Sequence, residues 1–524
     1  AAQARRRDAP LANAAPDAAN LISQKFTLHC ELAATWPMHA DDGEYHSDSE
    51  LAPPADMQRP TRRRKLSCSD APSGPPPGPA DIAASKAFRQ QLASRLDRVQ
   101  GSALRRVAQE ARLLTTSHYS GVGLMELALA AAAQPDDGPP NIQVMHAAEI
   151  CPKRRMLLLR HRGCTRPLHL GGDICNRLRK HTRDVLARMI DEARATMAID
   201  CKRLLDLGAD ASGLTRFMRS SSMGLLDQLD PLVAELARED WCYVCEKMCC
   251  VHGHVALPHP CDAVLTINTA GTTCIDFSAM GRKQGLYGVH TLPFLVWAHE
   301  RAHLGEDVIC HECTGHHPSE ELLGRYVGRS HHVWSWRLSP HMLGFPCTRV
   351  RKLSLCVFKQ RLQDWVPLER GPGEVFKGRV VSPGSIFFDA TDKELADFLK
   401  QHRRGNCAGD AFRNILTLGD KMRLADHMKD LPEGADVLFN ICQNKGFSNA
   451  VSIVPCLLPR AKIFSTKFGR YMIGMESLRL MCGGEPAFNC NDVPDSLLRA
   501  VSGNAVHVPT VAAIWMWLFS SGFK

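Results

Sequence analysis

Residues 261–281 read CDAVLTINTAGTTCIDFSAMG, and this stretch decides the fold. An apolar run from Ala263 to Ile267 predicts a short buried strand that stops at Asn268. A tight turn over residues 270–273 then places Cys274 just past the C-terminal end of that strand. Ligands bind at this edge of open α/β sheets, so the cysteine is a candidate nucleophile. The alternative is a structural cysteine, because free cysteines are among the most buried residues.

The chain upstream contains three more predicted strand ends. Residues 113–119 predict a strand that runs into the glycine turn Ser120-Gly121-Val122-Gly123 and then a helix. This arrangement points backbone N–H groups at a ligand. Residues 142–148 predict a strand that ends at Glu149, and 149 − 123 = 26 residues is close to the spacing of a Rossmann-like ribose-binding acid. A third apolar piece, residues 168–174, contains Gly-Gly-Asp-Ile, and each feature taken singly is equally a turn glycine or a surface acid.

Charged residues also mark the predicted strands downstream. Residues 307–310 predict a strand leading into Glu312, which is therefore expected at the same sheet edge as Cys274. Arg349 and Arg351 come just before a strand predicted at 353–358. Alternate residues entering a strand share a face, so both arginines are expected to reach phosphate or base oxygens.

In this order the segments resemble the motifs of C5-cytosine methyltransferases. The nucleophile loop is similar to Gly-x-Pro-Cys-Gln-x-x-Ser-x-x-Gly, with Gly271, Cys274, Ser278 and Gly281 matching. Residues 470–483 and 499–509 resemble the two closing motifs, the second of which is Gly-Asn-Ala-Val-x-x-Pro. The chain departs from the family's residues at Ser117, Tyr119, Leu124, Thr273, Ile275, Cys313, Thr314 and Cys347.

The resemblance implies an α/β, Rossmann-like S-adenosylmethionine-dependent methyltransferase fold, with a helical insertion and a smaller target-recognition domain. It implies methyl transfer to C5 of cytosine in DNA through base flipping and a covalent cysteine adduct. The implied catalytic residues are Cys274, Glu312, Arg349 and Arg351. The residues implied to bind S-adenosylmethionine are Tyr119, Gly121, Gly123, Glu149, Asp173, Ile174, Asn504, Ala505 and Val506.

Two other functions stay open at this point. One is a catalytically inactive relative that binds nucleic acid or acts as a scaffold, which the departures at Thr273, Ile275, Cys313 and Thr314 favour. Retention of both Cys274 and Glu312 argues against it. The other is the same chemistry on tRNA.

Nearby arginines are expected to raise the thiolate fraction of the nucleophile.

We divide the chain into six parts from these patterns. They are a disordered basic, Pro- and Ala-rich tail (1–80), an N-terminal helix with the cofactor-binding half (81–175), a helical insertion (176–258), the catalytic half (259–358), a target-recognition region (359–461) and the closing part of the methyltransferase domain (462–524).

Cysteines near the end of the insertion have a zinc-like spacing. Cys242 and Cys245 form a Cys-x-x-Cys pair, and Cys249 and His252 follow closely. The second ligand pair of a zinc site is usually well separated in sequence from the first, and here Cys249 and His252 are not cleanly separated from Cys242 and Cys245. We therefore assign no metal site from the sequence and keep these four residues as candidates for a structural zinc.

Composition limits which binding partners and which cellular compartment are expected. The 524 residues carry a net charge of +9, which favours a polyanion such as DNA, with RNA also possible. The 21 cysteines are odd in number and follow no repeating framework, which favours a reducing compartment. Basic runs at 5–7 and 62–65 are candidates for nuclear import. The longest apolar run, 506–519, is too short to span a bilayer, so we expect a nuclear or otherwise intracellular protein, neither secreted nor membrane-spanning.

Overall fold

The computed structural model describes residues 87–233, 236–250, 264–278, 281–360, 365–402, 411–448 and 450–521. The predicted tail, both of its basic runs and His252 lie outside the described residues. The chain divides into two units. Among the described residues, the first takes in residues 180–233 and 284–292, and the second takes in the remainder.

Twelve strands are present in the described part of the chain. They are β1 (Arg112–His118), β2 (Ile142–Ala148), β3 (His169–Gly171), β4 (Glu239–Cys242), β5 (Lys247–Cys250), β6 (Val264–Gly271), β7 (Val308–Thr314), β8 (His331–Leu338), β9 (Arg351–Phe358), β10 (Leu438–Asn440), β11 (Ile463–Ser465) and β12 (Arg470–Tyr471).

Residues 87–93 are helical, and the α-helices that follow them are numbered in chain order. They are α1 (Arg98–Glu110), α2 (Leu124–Ala132), α3 (Pro152–Leu158), α4 (Lys180–Asp206), α5 (Ala211–Val233), α6 (Thr291–Leu304), α7 (Ser319–Val327), α8 (Pro372–Val375), α9 (Asp392–Gln401), α10 (Ala411–Asn414), α11 (Leu418–Met428), α12 (Gly474–Cys482), α13 (Asp495–Asn504) and α14 (Val508–Ser520). None of these helices combines the length and apolar character needed to cross a membrane.

The second unit is built on a seven-stranded sheet with the order β3-β2-β1-β6-β7-β9-β8. The first five strands are parallel, whereas β9 is antiparallel to both of its neighbours. This is a Rossmann-like α/β fold, as predicted. The C-terminal ends of five strands therefore meet at one edge, and β9 begins at that same edge.

Strand β6 is longer than the sequence predicted, because it continues through Asn268 to Gly271. The Asn268 side chain is fully buried and its polar atoms are satisfied. Its amide donates to Thr116 Oγ1 at 2.8 Å, and its oxygen accepts from Trp297 Nε1 at 3.0 Å. A polar residue with partners on both sides does not end a strand.

Two wholly buried helices lie beside the sheet. Every residue of α2 and of α14 is buried, and the two helices pack against each other. A helix that is apolar all round belongs in a core rather than at a surface. Helix α14 begins at Val508, directly within the closing motif.

The N-terminal helical pattern is interrupted. The spacing from Phe88 to Leu104 predicted one helical face, but the chain breaks at residues 94–97 and restarts at a capping box on Asp97. Val99 is consequently 78% exposed instead of being buried with Leu92 and Leu104.

The predicted insertion and recognition region are only partly helical. Helices α4 and α5 pack against each other in the first unit, but residues 239–250 form the hairpin β4–β5 in the second. A small antiparallel sheet, β10-β11-β12, has its own aromatic core and runs past residue 461.

Candidate active site

The glycine turn after β1 has an unusual backbone. Tyr119, Gly121 and Gly123 all have positive φ, at 53°, 58° and 77°. A Cβ on Gly123 would lie 2.8 Å from His161 Cε1, so only glycine fits there. Tyr119 is a non-glycine residue in this region of backbone space, which is typical of functional turns. Its hydroxyl is buried and lacks a hydrogen-bond partner among the described residues.

Glu149 ties this turn to the end of β2. Its two carboxylate oxygens accept from the N–H groups of Gly121 at 2.8 Å and Cys151 at 2.9 Å. Burial raises the pKa of this carboxyl, although Arg154, 3.7 Å away, opposes the shift. The predicted ribose-binding acid is therefore in place at the sheet edge, and it also holds the turn.

Asp173 and Ile174 follow β3 at the same edge. Asp173 accepts from the N–H of Cys175 at 2.9 Å and so caps a 3-10 turn, while Ile174 is buried. The pKa of Tyr119 is raised mainly by burial, and to a smaller extent by Cys175 and by the negative charge of Asp173. The structure thus brings Tyr119, Glu149 and Asp173 to the ends of three adjacent parallel strands.

The sequence analysis missed one acid. Glu126 lies in the first turn of α2, is 1% exposed, and neither of its oxygens has a geometrically acceptable partner in the described part of the chain. Burial raises its pKa to about 7, and nearby Ser117 opposes this only in part. Ser117 is the position at which the family has its strand acid. A single acid inside the apolar run LMELALAAA was the available signal.

Cys274 lies three residues beyond β6, in a loop held by its own backbone. The Cys274 carbonyl accepts from the N–H of Phe277 at 3.0 Å and of Ser278 at 2.8 Å. A Cβ on Gly281 would lie 1.9 Å from the Ile275 carbonyl oxygen, which excludes any side chain. The glycine at position 281 of the loop therefore has a structural reason in this chain.

Glu312 lies inside β7, not after it, and faces the end of β6. It pairs in register with Gly271, and a Cβ on that glycine would lie 3.3 Å from Glu312 Oε2. Arg351, the first residue of β9, bonds Glu312 Oε1 through Nε at 2.9 Å. Burial raises the pKa of Glu312, with Arg351 and Arg349 opposing.

The Cys274 thiol is not activated by its surroundings. Burial and the charge of Glu312 raise its pKa, and Arg351 and Arg349 lower it by less. The arginines act in the expected direction, but desolvation and Glu312 outweigh them, so the pKa of the thiol stays raised. Cys274 is therefore close enough to Glu312 for the charge of that residue to change the pKa of the thiol.

The two arginines do not act as a pair. Arg349 is 3% exposed, and it donates to the carbonyls of Leu457 at 2.9 Å and Gly503 at 3.0 Å. Burial lowers its pKa to about 10. The prediction that both arginines face a nucleotide is wrong in geometry, since Arg349 precedes β9 and is committed to the backbone of the closing segments.

The closing motif completes the site. Asn504 ends α13, Ala505 and Val506 lead on to α14, and Val506 lines a small cleft with Glu312 and Arg351. A Cβ on Gly503 would lie 2.2 Å from Pro459 N, which explains the glycine of this motif. The cofactor and catalytic candidates therefore share one edge of the sheet, as the order of motifs predicted.

Comparisons with known proteins were made on sequence and on structure. No protein-family model matches the chain, and no curated protein matches it in sequence. Among solved structures, a proposed DNA modification methyltransferase encoded within an E. coli prophage is 13% identical, with a TM-score of 0.42, over 78% of this chain and 99% of that one. The S. pombe Dnmt2 methyltransferase is 14% identical, with a TM-score of 0.39, over 78% and 98%. We therefore assign the fold from strand order and pairing, and the function from the residues of the site.

A second cluster lies at the sheet's β3 edge. His169, Cys242, Cys245 and Cys249 have ligand atoms that all lie within 4.8 Å of one another. The three cysteines are among the zinc candidates predicted from the sequence, and His169 is an addition to them; the fourth candidate, His252, lies outside the described residues.

Proposed function

We propose that this protein transfers a methyl group from S-adenosylmethionine to C5 of cytosine in DNA, through a transient bond between Cys274 and C6 of the base. The observation that carries the proposal is the meeting of Cys274 with the buried pair Glu312–Arg351 at adjacent strand ends. A nucleophile beside an acid held by a cation is the arrangement that addition to an electron-poor ring requires.

Glu312 is suited to act as the acid of this reaction. Burial raises the pKa of Glu312, which makes its carboxyl a better proton partner for N3 as sulfur adds to C6. Arg351, fixed on Glu312, then stabilises the carboxylate that remains. The ring gains enamine character at C5, so that this carbon can take the methyl group. Loss of the C5 proton to a base would then release Cys274 from C6 and restore the aromatic ring.

The ends of β1, β2 and β3 fit S-adenosylmethionine. The Tyr119 hydroxyl lacks a partner among the described residues, and the buried Glu126 carboxyl has only Ser117 close to it, which leaves polar atoms for a ligand. Glu149 would hold the ribose and Asp173 the adenine. The cofactor supplies an electrophilic methyl group, and the chain's residues bind it and orient it toward C5.

A DNA substrate fits the charge and the depth of the site. The net charge of +9 favours a polyanion, and Cys274 is only partly exposed. A cytosine stacked in a duplex cannot reach it, so the base must be rotated out of the helix.

Trapping on a fluorinated base tests the proposal. An oligonucleotide with 5-fluorocytosine cannot lose its C5 substituent as a proton after methylation, so the Cys274 adduct persists. We expect wild type with S-adenosylmethionine to form a denaturation-resistant complex with the DNA. Cys274→Ser should form none, because a hydroxyl is a weak nucleophile without a base. Cys442→Ser, which changes an exposed cysteine elsewhere, is the matched control and should trap normally.

The other outcomes decide between the alternatives. Trapping of the RNA counterpart alone would overturn DNA as the substrate. Binding of cytosine-containing DNA and RNA without trapping of either would overturn the enzyme and leave the scaffold. Glu312→Gln should slow trapping but keep nucleic-acid binding, because it removes an interaction made in the transition state.

A further inference from the structure

The hairpin β4–β5 presents three cysteines to one histidine. Strand alternation puts Cys242 and Cys249 on its inner side, while Trp241 and Met248 between them are exposed. Cys245 lies in the turn. His169 Nδ1 is 3.7 Å from Cys242 Sγ and 3.5 Å from Cys245 Sγ.

These distances match a metal site better than chance packing. Four ligands around a tetrahedral zinc, with bonds of about 2.0–2.3 Å, lie roughly 3.3–3.8 Å from one another. Backbone N–H groups already point at one sulfur, since Leu170 and Cys245 donate to Cys242 Sγ at 3.5 and 3.4 Å. Such donors stabilise a thiolate, the form of cysteine that binds metal.

We propose that His169, Cys242, Cys245 and Cys249 bind one structural Zn²⁺. Three thiolates and one imidazole form a closed set, which is typical of structural rather than catalytic zinc. The fourth ligand comes from β3, so the metal would fasten the hairpin to the short edge strand of the sheet. Metal binding would thereby contribute directly to folding of this edge.

The hairpin also braces residues of the proposed cofactor site, and this consequence rests on the proposed function. Tyr243, in its turn, donates its N–H to the Leu170 carbonyl at 2.8 Å. The Tyr243 ring lies 4.1 Å from the Arg155 guanidinium, which donates to the Glu149 carbonyl at 2.9 Å. Through β3 and through Arg155, the metal would therefore position Asp173 and Glu149.

Metal analysis of the purified full chain tests the site. Wild type prepared under reducing conditions should contain about one zinc per chain. His169→Ala and Cys245→Ser should lose it, whereas His169→Cys should keep it by supplying a fourth thiolate. Cys250→Ser is the matched control, because Cys250 is exposed and adjacent to a proposed ligand. It should keep full zinc, and so should His252→Ala.

Cobalt exchange keeps the test independent of how well variants fold. Wild type loaded with Co²⁺ should show the intense visible bands of a four-coordinate thiolate site, and zinc should abolish them. Absence of stoichiometric metal, zinc retained by His169→Ala, or a Cys242–Cys245 disulfide in reduced protein would each overturn the site. Binding of S-adenosylmethionine, measured separately, should weaken when zinc is removed. If wild type binds none, the proposed function fails while the zinc result stands.

Discussion

Cys274 and Glu312 oppose each other's ionisation at the edge of the sheet. The negative charge of Glu312 raises the pKa of the Cys274 thiol, and the positive charge of Arg351 lowers it. Burial and Glu312 together therefore raise the pKa of the proposed nucleophile. Binding of cytosine would place a proton acceptor, N3, beside Glu312. The charge of Glu312, and with it the pKa of Cys274, would therefore change only while cytosine occupies the site.

This opposition predicts the reactivity of Cys274. Glu312→Gln removes a negative charge, so alkylation of Cys274 by iodoacetamide at neutral pH should be faster than in wild type. Arg351→Gln should slow it, because the cation is lost and Glu312 is left unpaired. Quantitative mass spectrometry of the Cys274 peptide gives both rates, with the Cys442 peptide as an internal control. Equal rates in the three proteins would show that Cys274 does not sense Glu312.

Glu126 predicts a pH dependence of stability. Its pKa is raised from 4.5 to about 7, so the folded chain holds a proton that the unfolded chain releases. Its contribution is complete below the unfolded pKa and is lost as pH rises through about 7. Relative to Glu126→Gln, wild type should lose about 3 kcal/mol of unfolding free energy between pH 4.5 and 7.5. Urea titrations of both proteins measure this difference, and a constant difference across the range would contradict the buried, protonated acid.

At the scale of elements, α6 is joined to the sheet by buried charges. Glu300 contacts Arg177 and Arg301, and it bonds His118 Nε2 at 3.1 Å. All four side chains are at most 2% exposed. Two arginines lower the pKa of Glu300 well below its usual range despite its burial. Such a network is costly to assemble and more costly to break on one side.

Removal of the central acid should therefore destabilise the protein strongly. Glu300→Gln removes the ion-pair partner of the buried Arg177, although Arg301 keeps Glu306, and we expect a loss of about 3–5 kcal/mol in unfolding free energy. Glu320→Gln on α7 changes an exposed helical acid and should stay within about 0.5 kcal/mol of wild type. Chemical denaturation measures both. A small effect of Glu300→Gln would mean that the cations find other partners.

At the scale of the whole molecule, the site is assembled from segments far apart in the chain. The glycine turn, the nucleophile loop, β7 and the closing motif meet because parallel strands end at one edge and α14 returns to pack on α2. Arg349 holds two of the distant segments together, through the carbonyls of Leu457 and Gly503. It is a structural residue of the site as well as a neighbour of the proposed catalytic pair.

The amino-acid sequence alone predicted every strand of the main sheet except β8, and it predicted the edge on which the candidate residues lie. Apolar runs that end in a glycine, an acid or a cysteine carry that information locally, so Ile142–Ala148 was predicted to the residue. The same patterns predicted Glu149, Cys274 and Glu312 at the ligand-binding edge, and their roles stay predictions.

Only the tertiary structure decided which side chains meet. Asn268 continues β6 because Thr116 and Trp297 satisfy it, and Arg349 is withdrawn because distant carbonyls accept its protons. His169 joins cysteines 73 and 76 residues away. Local patterns report the conformation that a segment favours, but burial, pKa and metal ligation depend on partners that folding brings from elsewhere in the chain.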